Sequence, residues 1–332
     1  MNLKPHATAA TRAGVLLERL WRTSPPLTAV GTLMLVVAGA SLVGMLVDPR
    51  IISGAPAWLK PFKFAISTAI YSLTLAWIFG WLSDWPRVRR VVGWTTAIVF
   101  VLEVAIIDAQ AWRGTTSHFN VSTMLDMVLF SVMGAAILLQ TLVSVAVAVA
   151  LWSQQFTDRS LGWALRLGMT LTIVGALTGP LMTRPTAAQL ADARAGGRMT
   201  IAGAHTVGGV DGGPGVPVTG WSREHGDMRV PHFIGLHAVQ ALALIAVVLR
   251  RWRRPESVRV RALLAAAASY VSLFLLLFWE AVRGQSVVAP DATALASLAI
   301  WAIVTVLVVG WIVLRTRDGA QSARMLWGSF SW

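Results

Sequence analysis

Cysteine is absent from this 332-residue chain, lysine occurs only three times, and just 13% of the residues carry charge. Without cysteine there is no disulfide, no thiolate metal site and no covalently attached c-type haem. So little charge argues against a soluble domain of this length. Familiar catalytic signatures are missing too: no P-loop, no G-x-G-x-x-G fingerprint, no G-x-S-x-G elbow, and no H-E-x-x-H, H-x-x-x-H or Glu-x-x-His pair. These gaps remove cytoplasmic nucleotide-driven chemistry, the usual serine nucleophiles and any spacing diagnostic of a metal. Period-2 alternation with aromatic girdles is also lacking, which excludes an outer-membrane barrel.

What is present is apolar. Hydrophobic residues make up 56% of the chain, and they come in long blocks. Eight blocks, near 27–47, 63–82, 91–110, 122–151, 161–182, 231–250, 260–282 and 292–314, can each cross a hydrocarbon core, which takes about 20 helical residues. A bilayer offers no water to satisfy backbone groups, so these runs must be helices. The expected fold is an all-α, polytopic integral membrane protein of about eight transmembrane helices. Its organisation reads as a cytoplasmic segment 1–26, a first helical bundle 27–182 (helices one to five), a Gly-rich extracytoplasmic loop 183–230, helices six to eight over 231–314, and a cytoplasmic tail 315–332. Residues 1–26 hold no apolar core, so no cleavable signal peptide is expected and the first span acts as its own anchor. The loop carries two short β-tolerant runs around a glycine-rich turn, which suits a hairpin. A loop this long is either a functional lid or a plain surface loop.

The net charge of +13 is topological. Lys4, Arg12, Arg19 and Arg22; Arg87, Arg89 and Arg90; Arg159 and Arg166; the run RRWRRPESVRVR from Arg250; and Arg315, Arg317 and Arg324 all fall on one side of an eight-span chain. The positive-inside rule makes that side, with both termini, cytoplasmic. The location implied is the plasma (bacterial inner) membrane. The partner implied is the lipid bilayer and its anionic headgroups, not nucleic acid. Tryptophans such as Trp58, Trp85, Trp112, Trp152, Trp221 and Trp252 fall near span ends, where indoles prefer the interface.

The chemistry-bearing residues gather at the opposite, extracytoplasmic end. QAWRGTTSHFN (110–120) closes the third span, and EAVRGQS from Glu280 closes the seventh. Gln110-Ala-Trp-Arg113-Gly114 aligns with Glu280-Ala-Val-Arg283-Gly284 at an offset of 170, which also carries Pro61 onto Pro231. Four helices separate the copies, so both keep one orientation. The repetition points to a four-plus-four parallel duplication, a device of many transport folds; chance is the alternative.

Charge inside a bilayer costs at least about 2.5–3.5 kcal/mol per group near the centre. Glu103 is the sharpest case, about 12 Å below the outer end of the third span at 1.5 Å per residue. Asp126 and His237 sit within two turns of the outer surface, and Asp108 and Glu280 lie shallower. Glu103 and Gln110, seven apart, share a helix face, as do His237 and Gln240. His232 and His237, five apart, converge only if the helix start unwinds. On the functional reading, Glu103 or Asp126 is a general base or ligand. His118, His232 and His237 then bind a transition metal ion or a b-type haem. The plain alternative leaves each histidine hydrogen-bonded at the interface. Arg113 and Arg283, with Gln110 and Lys63, could hold an anionic ligand. Otherwise the two arginines snorkel or pair with Asp108 and Glu280.

With histidines in SHFN and HFIGLHAVQ near outer helix ends, the chain resembles haem A synthase in architecture, itself two four-helix halves. The resemblance implies a fold and no activity. That family's paired histidines are not reproduced, since the offset of 170 sets Val288 against His118 and Phe62 against His232. The leading expectation is a membrane-embedded metal- or haem-dependent enzyme acting on an apolar or lipid-like substrate. The alternative is a transporter or receptor that binds a small ion or anion from the extracytoplasmic side. A third reading is a structural subunit packing through small-residue faces such as AAAAS at 265–269.

Overall fold

The computed structural model describes residues 9–327. In chain order its elements are α1 (Ala9–Thr23), α2 (Pro25–Val47), β1 (Ile51–Ile52), β2 (Ala55–Pro56), α3 (Leu59–Phe79), α4 (Pro86–Trp112), α5 (Met124–Ser153), α6 (Arg159–Ala176), α7 (Gly179–Met182), α8 (Ala187–Arg194), β3 (Thr206–Val207), β4 (Gly226–Asp227), α9 (Arg229–Leu236), α10 (Ala238–Leu249), α11 (Glu256–Val282) and α12 (Ala292–Trp327). Among the described residues seven helical segments are long and apolar enough to cross a membrane, and the bent pair α9–α10 makes eight when counted as one span. Their outward surfaces are apolar: Val36, Val43, Leu46, Ile98, Leu142, Ile300 and Val306 are all exposed. Water would penalise such a surface, and hydrocarbon does not. The chain is thus a helical, multi-pass architecture suited to a membrane.

Two compact units divide it. One takes Met1–Gln154, Thr183–Ala204 and Pro217–Gly220; the other takes Gln155–Met182, His205–Val216 and Trp221–Trp332.

In the first unit, α1 sorts Leu16, Leu17, Leu20 and Trp21 onto one face and Glu18, Arg19 and Arg22 onto the other. This amphipathic helix occupies part of the expected segment 1–26. Two prolines open α2. Its face of Leu27, Val30, Met34, Ala38 and Ser41 is buried, and α2 packs on α3. Gly31 admits Leu73 and Gly44 admits Trp58. The core continues through Ala69, Val99, Phe100 and Val104, with α3 on α4, α4 on α5 and α2 on α4. Strands β1 and β2 form a hairpin turned at Ser53 and Gly54, both at positive φ.

In the second unit the packing order repeats: α6 on α9 and α10, these on α11, α11 on α12, and α6 on α11. Helices α4 and α11 each run 27 residues, and both ends match at the offset of 170. The starts of α3 and α9, Leu59 and Arg229, match at the same offset.

One difference from the sequence expectation is instructive. The sixth span is not continuous but breaks at His237, where α9 and α10 meet at a bend of 46°. Glycines on α6 set the break. A Cβ at Gly175 would lie 2.5 Å from the Gly235 Cα, and one at Gly168 would lie 2.7 Å from the Val239 Cα. The backbones therefore touch, in the manner of small-residue membrane crossings. Thr172, between those glycines, donates to the Leu236 carbonyl (3.3 Å) and accepts from the Val239 amide (3.2 Å). Tyr270 donates to the Ile234 carbonyl (2.7 Å). Backbone groups that the break would orphan are thus satisfied by side chains.

The 183–230 segment is more structured than a hairpin alone. It holds α8, opened by a capping box of Thr186 and Gln189, and the antiparallel pair β3–β4. A further bridge joins Gly215 and Ser222.

Candidate functional site

The polar centre of the first unit starts on α4. Glu103 and Gln110 share its buried face. Gly114, at φ 74, ends the helix, with its amide on the Ala111 carbonyl and the Thr115 amide on the Gln110 carbonyl. The chain then doubles back. Asn120 donates to Thr115 Oγ1 (2.9 Å), Phe119 takes a positive φ of 63, and residues 200–202 pair with the segment through Val121 and Phe119. This pinned loop turns His118 inward.

There the His118 Nε2 lies 3.6 Å from Glu103 Oε1, and its Nδ1 lies 3.0 Å from the Lys60 Nζ and 3.1 Å from Ser117 Oγ. An ammonium only donates, so Nδ1 accepts from Lys60 and the ring proton sits on Nε2, facing Glu103. Phe64, Phe119 and Phe130 surround the imidazole at centroid distances of 5.5, 6.3 and 6.4 Å. Glu103 is 2% exposed, and its Oε2 has no hydrogen-bond partner. It lies nine residues before the end of α4, about 13 Å at 1.5 Å per residue. Lys63 donates to the Thr219 carbonyl at 2.8 Å. Asp108 keeps one buried oxygen, Oδ1, without a partner.

Asp126 belongs to a different knot. Its Oδ1 accepts from Gln110 (2.9 Å) and Arg113 (2.7 Å), and its Oδ2 from Thr123 (2.6 Å). Arg113 also donates to Gln110. Thr123 caps α5 by accepting from the Asp126 amide. Both oxygens are occupied, so the arrangement is a helix-start lock closed by an arginine. Near the same loop, Asp48 accepts from Arg50 and from the Trp58 indole (2.7 Å), while Arg50 reaches the Trp112 carbonyl (2.9 Å). The Arg50 guanidinium, chiefly through its side-chain hydrogen bonds, holds the Asp48 carboxyl well below the usual carboxylate range.

In the second unit His232 Nδ1 lies 2.9 Å from both the Gly175 carbonyl and the Thr178 hydroxyl. A carbonyl only accepts, so Nδ1 carries the proton there. His237 sits at the α9–α10 break with its ring 4.4 Å from that of Phe233. Three residues on, both polar atoms of Gln240 are buried and unpartnered. Arg283 pairs with Asp291 at 2.7 Å and stacks over Trp279. Glu280 is 2% exposed, with neither oxygen bonded. His205 and Asp211 bind each other in the β3 approach (3.1 Å). Burial opposes it, but the His205 ring and the His205 and Thr206 amides still hold the Asp211 carboxyl well below its ordinary range.

Of the residues singled out from sequence, the structure thus joins Glu103 to His118 and joins Gln110 and Arg113 to Asp126. The metal-ligand expectation for His118, His232 and His237 meets a different arrangement: each ring is held by local partners. Among the described residues no group of three or more His, Asp or Glu side chains is placed to hold a metal ion. Sequence reasoning did not single out Lys60 as a site residue, although lysine's scarcity marked it. It also missed Thr172, which looks like any helix threonine until the opposing break is seen. No protein-family model, curated protein or solved structure matches the chain at a significant level.

Proposed function

We propose that this protein is an inner-membrane carrier that takes up protons at the extracytoplasmic face through Lys60, His118 and Glu103 and couples them to the passage of a small ion or anion. One observation carries the reading. Glu103 Oε2 is buried and unpartnered deep in α4, and on its Oε1 side stand His118 and then Lys60. A chain of exchangeable protons ending on a costly buried carboxylate is the arrangement expected of a proton relay.

Three features support transport. The shared offset of 170, the equal helices α4 and α11 and the repeated packing order favour a four-plus-four parallel duplication. The broken span α9–α10, with Gln240 unsatisfied beside it, resembles the discontinuous helices at which transporters bind substrate. The basic loops favour cytoplasmic termini, which turns the His118 loop and the 183–230 segment outward. On this reading that segment is the lid.

Solid-supported-membrane electrophysiology on proteoliposomes tests the relay without knowledge of the solute. An outside pH jump should give a transient charge displacement that Glu103→Gln abolishes and His118→Asn slows. An unchanged transient in folded Glu103→Gln protein would sink the proposal.

A second reading has its own support. The aromatic wall of Phe64, Phe119 and Phe130 around an adjacent imidazole and carboxylate suits acid–base chemistry on an apolar or lipid-like substrate. The same pH-jump recording separates the two, since an acid–base site without a relay gives no Glu103-dependent charge displacement.

A further inference from the structure

A second acid is buried without a partner, and it lies in the other unit. Glu280 sits in the last turn of α11. Gly284, at φ 75, reverses the chain there, and the Gln285 amide returns to the Glu280 carbonyl (3.0 Å). Strand β4 crosses this helix end so closely that a Cβ on Gly226 would stand 2.8 Å from the Gly284 Cα. A small cavity remains, lined by Asp227, Val230, Leu277, Glu280, Ala281, Gln285 and Val287. Its volume of about 10 Å³ is close to the least that admits a single water.

The charges around it do not balance. Asp227 is fully engaged by Arg229, which donates from Nε (2.9 Å) and Nη2 (2.6 Å). Arg283 is engaged by Asp291. Two arginines thus hydrogen-bond two aspartates, and Glu280 keeps both oxygens covered and without a hydrogen bond. The last carbonyls of α11 add partial negative charge at the same place. The matching position in the first unit shows what balance looks like. There the neutral amide of Gln110 stands beside one Arg113 and one Asp126, all mutually bonded.

We propose that the Glu280 cavity is a binding site for a single sodium ion, with Gln285 completing the oxygen set. The size of the cavity admits one particle. The charge deficit is one unit. The lining has carboxylate and amide side chains and no sulfur or imidazole, which suits a hard cation and not a thiophilic metal. The site is separate from the Lys60–His118–Glu103 relay and does not rest on it.

The test uses the purified full chain in detergent. Melting temperature is followed as sodium chloride replaces choline chloride at constant ionic strength, and then across pH without sodium. A saturable rise with sodium, suppressed by acid, identifies a sodium site; a response to pH alone that disappears in Glu280→Gln is plain titration of the carboxyl and overturns it. Gln285→Ala, which keeps the carboxylate, should weaken apparent sodium affinity about tenfold, and covers the case in which Glu280→Gln fails to fold. Wild-type protein that ignores sodium would overturn the proposal and leave the relay of the first unit untouched.

Discussion

Arg113 and Arg283 occupy the same place in two copies of one short motif, yet their surroundings differ. Arg113 donates to an Asp126 that is 3% exposed in its side chain, whereas the partner of Arg283, Asp291, is 34% exposed. Removing an arginine from a buried carboxylate leaves an under-satisfied charge, at about 1–3 kcal/mol. Breaking a half-exposed pair costs under about 1 kcal/mol. Arg113→Ala should therefore lower stability clearly in detergent unfolding, and Arg283→Ala hardly at all. Equal losses would show that the two pairs are equivalent. Asp48 allows a pH prediction outside the spans. Its carboxyl titrates lower in the folded chain than in the unfolded one, mainly through Arg50. Its contribution is thus complete above an ordinary aspartate value of about 3.9 and is lost as pH falls towards the folded value. Asp48→Asn should flatten the acid side of the melting profile; an unaltered profile would remove this pair from the stability of the loop.

At the scale of elements, the α6 crossing with α9–α10 is the most constrained contact. Gly175 and Gly235 meet backbone to backbone, while Gly134 on α5 has nothing within 4 Å of an added Cβ. Overpacking costs about 1–3 kcal/mol where neighbours cannot yield. Gly175→Val should reduce melting temperature and folded yield, whereas Gly134→Val should leave both within error. A tolerated Gly175→Val would mean that the crossing is looser than the structure has it. The amphipathic helix α1 makes a different prediction. Trp21 is about half exposed on its apolar face, with Arg19 and Arg22 opposite, the pattern of an interfacial helix. In a variant retaining only that tryptophan near the bilayer surface, shallow brominated lipids should quench it more than deep ones. Equal quenching would place α1 elsewhere.

For the whole molecule, the absence of cysteine makes topology directly testable. A single cysteine at Gly213, in the long loop, should react with a membrane-impermeant maleimide from outside intact spheroplasts. One at Arg253, between α10 and α11, should react only after permeabilisation. The reverse pattern would invert the protein and with it the direction of the relay. The eight apolar runs were legible because each is longer than a hydrocarbon core is thick and because no loop can replace a helix there. The partnership of Glu103 with His118 was legible in kind, since a carboxylate at that depth requires some neighbour. Lys60 as the third member was not, because its approach depends on how residues 113–123 fold back onto 200–202.

Composition and hydrophobic run length alone determined that this is a helical chain with seven to eight apolar runs suited to crossing a membrane. Run length suffices for that because burial in lipid leaves the backbone no other state. Which acids acquired partners was decided only by tertiary structure. Asp126 became part of a helix lock, Glu103 met a histidine, and Glu280 was closed over by a glycine strand with neither oxygen hydrogen-bonded. Such pairings depend on contacts between segments far apart in the chain, and the spacing of residues along one helix carries no record of them.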